Sequence, residues 1–375
     1  MPKVRISAVR FRSLLDNRRM TAAGLAAKVT TDVRLEELAQ SDQDVDIADL
    51  RALGKVFGRT WSYFLRDEPE VFPQAGDDHR TYSNQRPALS PDLITELQAT
   101  DLMLAAAAEL FPEAPFLPPS LPLGARPSAA KLGAQVRAWL DVSIDDQLKS
   151  KDDSAALRLW VAALHAQNIY VSQRHLSDPT IRAFSKLHDG QALVVVDTQD
   201  TAYARIFSVL HEYCHIVLRT TGICDLDDHN AMERYCNAVA AEALLPDELL
   251  DRKIPDGTFT GTDESQDDAL QRLSRQLRVS QATLLIRLRD RGAISQAHYD
   301  QLESRRSARR GGKRNGGSYY APKINRVGRL FAHRVVDAMD DDVLDRQDAA
   351  ALLGVGEHIV DRYATELAKG DRRAR

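Results

Sequence analysis

Residues 211–215 read H-E-x-x-H, and this short pattern constrains the chain more than any other feature of the sequence. Apolar residues flank it on both sides, so the segment predicts a buried helix. His211 and His215 are four residues apart and therefore project from one face of that helix, one turn apart. Two imidazoles in this arrangement can bind a single Zn²⁺ ion, with Glu212 beside a metal-bound water. The pattern therefore predicts a zinc site with Glu212 as its acid–base residue.

Two histidines do not complete such a site, because a catalytic zinc usually takes three protein ligands and leaves the fourth position to water. The run from Ala231 to Leu245 predicts a second helix, with Glu233 near its start and apolar residues at intervals of three and four behind it. A polar, turn-forming segment separates the two helices. Glu233 thus follows His215 by one loop, where a returning helix would pack. The predicted ligand set is His211, His215 and Glu233.

Residues around these ligands carry a family resemblance. Arg-Ile-Phe-Ser-Val-Leu precedes His211, and Glu233 opens the string E-R-Y-C-N-A-V-A, followed by Leu244 and Pro246. Both strings resemble the ImmA/IrrE family of zinc metallopeptidases, in which H-E-x-x-H is paired with E-x-x-A-N-x-F-A-x-x-x-L-x-P. This chain departs from the pattern at Cys236 and Val239, where Ala and Phe are usual. The resemblance implies a narrow protein substrate, typically a repressor encoded nearby, which is cleaved in response to DNA damage, phage or a mobile element.

The composition is that of a globular protein whose cysteines are reduced. Its 375 residues are too many for one small core and suggest about two to four domains. The net charge of −4 gives no overall bias toward nucleic acid. Three cysteines cannot form a disulfide framework, the N-terminal residues lack the apolar core of a signal peptide, and no run approaches a membrane span. We therefore expect a cytoplasmic protein with no membrane partner, and a homodimer is among the assemblies considered.

The expected fold class is mainly α with a small β-sheet (α+β), in which a zincin-like peptidase core is flanked by helix-turn-helix-like helical domains. Segments 168–172 and 192–197 are rich in β-branched residues and predict a small sheet beside the active helix. The edge of such a sheet could hold a substrate backbone by strand addition. The predicted division is 1–70 lambda-repressor-like domain, 71–145 helical segment and Pro-rich linker, 146–255 peptidase domain, 256–304 helix-turn-helix-like extension, 305–318 basic Gly-rich linker and 319–375 C-terminal helical module.

The N-terminal pattern resembles a lambda-repressor-type (XRE-type) helix-turn-helix domain, built of short helices with tight connections. Its candidate recognition helix carries Asp32, Glu36 and Glu37 against a single Arg34. A helix that inserts into a DNA groove usually carries basic and neutral hydrogen-bonding side chains. A DNA-binding domain and a domain that binds protein therefore both remain as interpretations.

Two later segments are candidates for nucleic-acid contact. The extension after residue 256 resembles a second helix-turn-helix and carries Arg287, Arg289 and Arg291, which can contact phosphates or serve in packing. A run of basic residues with interspersed glycine follows, and its charge favours polyanions such as single- or double-stranded DNA. The alternative is a solvated linker. The nucleic-acid-binding residues predicted there are Arg305, Arg306, Arg309, Arg310, Lys313 and Arg314.

The sequence leaves several alternatives open for the roles of individual residues and for the function. Cys236 lies one turn after Glu233, so its thiolate could close the metal site as a switch, or it could be a small buried apolar residue. No oxyanion donor can be assigned among Tyr203, His229 and Tyr235. The first functional hypothesis is a zinc endopeptidase, and the alternative is a DNA-binding regulator or antitoxin-like protein in which the peptidase fold is structural or sensory. A pure protein-binding scaffold would require an empty metal site.

Overall fold

A computed structural model describes residues 3–17, 20–31, 33–57, 64, 91–117, 119, 121, 126–178, 181–219, 223–225, 231–255, 257–259, 264–308 and 320–372. The chain divides into two compact units, Met1–Leu102 and Met103–Arg375. The division falls within a helix, α5 (Pro91–Leu110). Among the described residues, no helix is long and apolar enough to cross a membrane.

The first unit combines short helices with a two-stranded ribbon. Its elements before α5 are β1 (Lys3–Ile6), α1 (Ala8–Asn17), α2 (Ala22–Ala26), α3 (Leu35–Leu38), β2 (Gln43–Asp46) and α4 (Ile47–Phe57). β1 pairs antiparallel with β2, and the helices pack around a core that includes Leu25, Leu50 and Phe57. The last predicted helix of this region, 61–65, lies outside the described residues apart from Phe64.

Helix α3, the candidate recognition helix, has only four residues. Leu35 and Leu38 face the core, whereas Glu36 and Glu37 are exposed. Arg34 donates to the Glu37 carboxylate at 2.8 Å, so the basic residue next to this helix is engaged by an acid. The surface that a recognition helix would offer to DNA is therefore acidic.

The second unit is built around a four-stranded sheet with helices. Its elements are α6 (Ala129–Trp139), α7 (Ile144–Lys149), α8 (Asp153–Ala166), β3 (Ile169–Arg174), β4 (Ile181–His188), β5 (Gln191–Asp197), α9 (Ala202–Leu218), β6 (Ile223–Asp225), α10 (Ala231–Leu244), α11 (Asp247–Lys253), α12 (Glu264–Gln276), α13 (Gln281–Asp290), α14 (Gln296–Ala308), α15 (Tyr320–Val327), α16 (Arg329–Asp340), α17 (Arg346–Leu353), a short 3-10 helix (Glu357–Ile359) and α18 (Val360–Arg372).

The sheet has the strand order β3-β5-β4-β6. β3 runs parallel to β5, while β4 runs antiparallel to both β5 and β6. The β5 strand is buried along almost its whole length, as its run Leu193 to Val196 requires of a central strand. Sequence predicted β3 and β5, whereas β4 was not predicted because Arg182, Ser185 and Lys186 interrupt its apolar pattern.

Helix α9 is the central element of this unit and packs against α8, α10 and the sheet. Thr201 caps its start, where the Thr201 hydroxyl accepts a hydrogen bond from the Ala204 amide. Residues on nearly every side of α9 are buried, as expected for a helix enclosed by neighbours on all sides. Behind it, α10 approaches α6 very closely at Gly133, where an added Cβ would lie 2.6 Å from the Glu242 Cβ.

The C-terminal helices cover one edge of the sheet. The Ser172 hydroxyl of β3 donates to the Arg326 carbonyl, and Gly328 comes so close that an added Cβ would lie 2.4 Å from the Val171 carbonyl oxygen. Phe331 packs edge-on against Tyr170 of the same strand. The sequence predicts one helix from Lys323 to Met339, but Gly328, with φ of 85°, divides it into α15 and α16. This region is therefore part of the second compact unit.

Candidate metal centre

The side chains of His211, His215 and Glu233 converge in the interior of the second unit. α9 supplies both histidines and α10 supplies the carboxylate, as the sequence predicts. The Nε2 atoms of His211 and His215 are 3.1 Å apart, and Nε2 of His211 lies 3.1 Å from Oε2 of Glu233. Nε2 of His215 lies 3.4 Å from Oε1 of Glu233. We refer to these three residues as the metal triad.

These distances fit a small divalent cation. A tetrahedral zinc ion with bonds of about 2.0–2.1 Å holds its ligand atoms about 3.3–3.4 Å apart. One ligand atom from each member of the triad lies within 4.8 Å of the others. His211, His215 and Glu233 are 0%, 2% and 8% exposed. An uncompensated charge in so buried a cluster would be costly, which favours a bound cation beside the Glu233 carboxylate. Two imidazoles with one carboxylate form a donor set that suits zinc.

Electrostatics within the triad are complementary. Burial raises the pKa of Glu233, but hydrogen bonds from His211 and His215 outweigh it, so the pKa of this carboxyl falls below its usual range. Burial lowers the pKa of His215, but hydrogen bonds with Cys236 and Glu233 outweigh it and raise that pKa. An ionised carboxylate beside two imidazoles provides the donor atoms that a divalent cation needs. Binding of the cation would displace the proton held by the His215 ring.

Glu212 lies in the same buried cluster, on the sheet side of α9. It is fully buried and is placed beside Ser185 of β4. Burial is the largest influence on Glu212 and raises its pKa, although the neighbouring His211 and His215 act in the opposite direction. A carboxyl group with a raised pKa is a stronger base, which suits it to accept and return a proton.

Cys236 touches the triad without joining it. Its thiol is within hydrogen-bonding reach of the His215 ring and of the Cys214 thiol. The group of mutually close ligand atoms contains His215 but not Cys236, so the thiol lies outside the metal triad. The hydrogen bond with Cys214, together with burial, raises the pKa of Cys236, which keeps it a neutral thiol. This geometry favours an orienting role over the switch considered from sequence.

The three oxyanion candidates differ in their placement. The Tyr235 hydroxyl donates to the Pro127 carbonyl at 2.7 Å, at the end of the Pro-rich segment, so it is already engaged. Tyr203 lines a cleft against α9. His229 lies outside the described residues.

The Pro-rich segment is also held near its start, where the Phe116 amide donates to the Gly190 carbonyl at 2.7 Å.

The arginines of the second helix-turn-helix-like pattern are used within the protein. Arg287 is 2% exposed; its Nε donates to the Leu245 carbonyl at 2.8 Å, and its guanidinium pairs with Glu242 at 2.7 Å. Arg291 pairs with Asp251 at 2.5 Å. Arg289 stacks over Tyr299. Of the two roles considered from sequence, packing describes these three side chains.

The basic segment is only partly described. α14 continues through Arg305 and Arg306 to Ala308, so these two residues belong to a helix. Arg305 lies 3.5 Å from Asp267 of α12. Arg309, Arg310, Lys313 and Arg314 lie outside the described residues.

The fold and the triad together define a metallopeptidase-like domain. Comparison with protein families agrees: residues 164–289 match the model of a peptidase family described as the IrrE N-terminal-like domain. The match includes the whole triad, Glu212 and α13 as far as Arg289, and it supports for this segment the resemblance drawn from the motifs. No individually curated protein matches the chain.

Proposed function

We propose that this chain is a zinc-dependent endopeptidase that cleaves a specific regulatory protein. The observation that carries the proposal is the convergence of His211, His215 and Glu233, with ligand atoms 3.1–3.4 Å apart, beside the buried carboxyl group of Glu212. The family match over residues 164–289 supports a peptidase. The motif resemblance favours a repressor as the substrate, which would be cleaved in response to DNA damage or phage.

His211, His215 and Glu233 are the residues that would hold zinc. Zinc, when bound in such a site, supplies a Lewis acid that polarises a carbonyl group and makes water a stronger nucleophile at neutral pH. Glu212 would take the proton of the attacking water on its carboxylate and later deliver it to the leaving amine. The buried surroundings of this carboxyl group, which include Ser185, exclude bulk water from it.

The sheet offers a place for an extended substrate. β6 pairs with β4 only at Ile181, Ala183 and Phe184, so in the described part of the chain no strand covers the same edge from Ser185 to His188. A peptide that added there would pass Ser185, which lies beside Glu212. This edge is consistent with a protein substrate bound through its main chain.

The experiment compares zinc-loaded wild type with Glu212→Gln, incubated with repressors encoded near the gene for this chain, followed by mapping of the products. We expect cleavage by wild type, none by Glu212→Gln, and equal zinc content in both. Glu248→Gln, which changes an exposed glutamate on α11, is the matched control and should cleave normally. Cleavage by Glu212→Gln at the wild-type rate would refute the assigned role.

DNA binding is a separate question. The alternative of a DNA-binding regulator is weakened by the acidic α3 and by the ion pairs of Arg287 and Arg291. The basic residues after Arg305 keep nucleic acid as a candidate regulator of the peptidase. Binding of single- and double-stranded DNA to the zinc-loaded chain at low salt tests this, and absence of affinity for both would remove DNA as the trigger.

A further inference from the structure

The two histidines of the metal triad are held in place by different contacts. The His215 ring is within hydrogen-bonding reach of the Cys236 thiol. His211 presents its Nε2 to Glu233 at 3.1 Å, whereas its Nδ1 is buried without a hydrogen-bond partner in the part of the chain that the structure describes. A metal-binding imidazole usually donates its second nitrogen to a carboxylate, a carbonyl or a water, which fixes the orientation of the ring. Among the described residues, His211 must be oriented by packing instead.

Aromatic packing along α9 can supply this orientation. Phe207 lies one turn before His211 and His215 one turn after it, on the same face of the helix. The ring centroids of Phe207 and His211 are 6.4 Å apart, and the two ring planes are inclined by 31°. The ring centroids of His211 and His215 are 4.8 Å apart, with an inclination of 57°. Both distances lie in the range of about 4.5–7 Å in which aromatic rings pack.

Phe207 has a neighbour on α9 that allows a direct comparison. Phe207 is half-buried, packs against the core of the unit and lines a cleft of 660 Å³. Tyr203, one turn earlier, is also half-buried, packs against the same core and lines the same cleft. Among the ring contacts of the described residues, Phe207 touches the metal triad and Tyr203 does not. The two side chains therefore differ chiefly in their contact with His211.

We propose that Phe207 is a positioning residue for zinc, which holds the His211 ring in the orientation that directs Nε2 at the metal position. A ligand whose ring is locked by its neighbours loses less freedom when the ion binds, so the site has a higher affinity. The proposal rests on the proposed zinc site and deepens it. It also gives a role to the phenylalanine in the string before H-E-x-x-H, which the ligand set leaves unexplained.

The test measures the zinc affinity of the full-length chain by titration with a zinc-selective chelator. Phe207→Leu keeps an apolar side chain but removes the flat ring, and it should lower zinc affinity about tenfold. Phe207→Tyr keeps the ring and should stay within about twofold of wild type. Tyr203→Leu is the matched control, because it removes an aromatic ring from the same cleft, and it should also stay within about twofold.

A spectroscopic measurement separates the orientation of the ligand from general stability. Co²⁺ bound in place of zinc absorbs visible light, and its bands depend on the geometry of the ligands. We expect the Co²⁺ spectrum of Phe207→Leu to change, while the spectra of Phe207→Tyr and Tyr203→Leu match wild type. Denaturant unfolding of the metal-free proteins should show similar losses for Phe207→Leu and Tyr203→Leu, because both remove aromatic surface packed against one core.

Two results would overturn the proposal. The first is a folded Phe207→Leu protein with wild-type zinc affinity and a wild-type Co²⁺ spectrum. The second is an equal loss of zinc affinity in Tyr203→Leu, which would trace the effect to the packing of α9 as a whole. If Phe207→Leu does not fold, Phe207→Met replaces it with the same expectations, since methionine fills the space with a flexible chain in place of a ring.

The proposed function fails by different results. Cleavage by wild type, together with unchanged zinc affinity in Phe207→Leu, removes the role of Phe207 and leaves the peptidase intact. Zinc affinity that depends on Phe207, in a chain whose cleavage survives Glu212→Gln, removes the proposed catalytic role and leaves the positioning role in place.

Discussion

Nε2 of His211 lies 3.1 Å from Oε2 of Glu233, a residue 22 positions further along the chain and on a different helix. Nothing local brings these atoms together, because α9 and α10 are separate helices whose packing alone sets their distance. Apolar residues behind both, including Val209, Val239 and Ala240, keep this packing in place. The metal site therefore depends on the core of the whole unit.

Removing one ligand should abolish tight metal binding. We expect Glu233→Ala to lower zinc affinity by more than about 100-fold, beyond the loss typical of residues outside the coordination sphere. Titration with a zinc-selective chelator measures this. Glu242→Ala, on the same helix but paired with Arg287, is the control and should keep its zinc even if it is less stable. Normal affinity in Glu233→Ala would show that the third ligand lies elsewhere.

Cys236 should influence zinc through His215. The thiol lies within hydrogen-bonding reach of the His215 ring but outside the triad, so it can fix the ring orientation and the tautomer. We expect Cys236→Ala, which restores the residue usual in the family, to lower zinc affinity about tenfold, and Cys236→Ser to lower it less.

Cys214→Ala provides the comparison for this prediction, because Cys214 contacts Cys236 but lies outside the triad. It should leave zinc affinity within about twofold of wild type. An equal loss in both variants would indicate general loosening of α9 against α10. No loss in either would show that His215 is oriented without the thiol.

Gly328 should be far less tolerant of substitution than Gly354. Both have positive φ values, 85° and 64°, but a Cβ at Gly328 would meet the Val171 carbonyl at 2.4 Å, whereas nothing lies within 4 Å at Gly354. Chemical denaturation should show that Gly354→Ala loses about 1 kcal/mol of unfolding free energy, from backbone strain alone. Gly328→Ala should lose roughly 3 kcal/mol or more, because the helices must also move off the strand. Equal losses would contradict the close approach.

Protonation of His165 should lower the unfolding free energy of the protein in mild acid. Burial, together with the positive charges of Arg329, His333 and Arg334, lowers its pKa from 6.5 to about 4. Its Nε2 is buried with no hydrogen-bond partner among the described residues. Since the folded state resists protonation while the unfolded state accepts it, stability falls as pH drops through 6.5 toward the folded value.

The expected loss is about 2 kcal/mol of unfolding free energy between about pH 7 and about pH 5. Denaturant titrations at both pH values measure it, in parallel with His165→Gln, which removes the titrating group. The difference between wild type and variant isolates this histidine from the carboxyl groups that also titrate. A wild-type slope identical to that of the variant would show that the pKa of His165 is the same in the folded and the unfolded protein.

The pair of histidines in the metal triad could be predicted from sequence because its geometry follows from spacing. Helical periodicity places His211 and His215 on one face. The apolar runs of β3 and β5 could be predicted for a similar reason. In these cases the information needed lies within a few residues of the chain. Glu233 was predicted from its place near the start of the next helix, whereas its distance from the histidines is set by helix packing.

The features missed by sequence depend on distant partners. β1 and β2 are polar strands that exist because they pair with each other across 37 to 43 positions. α14 lacks a strong apolar stripe and is anchored through Leu302 and Tyr299. The ion pairs of Arg287 could not be foreseen, since an arginine suited to phosphates and one suited to Glu242 look the same in a sequence. Asn237 likewise gave no local sign that its buried Oδ1 would have no hydrogen-bond partner among the described residues.

The contact between β3 and the C-terminal helices has a consequence for handling this protein. Ser172, Val171 and Tyr170 present an outermost strand that is sheltered by Arg326, Gly328 and Phe331. A shortened version ending before Tyr320 would expose that strand's backbone and the aromatic surface beside it, which together form a template for self-association. Expression of the peptidase segment alone should therefore give aggregates, and adding residues 320–372 as a separate polypeptide should restore solubility.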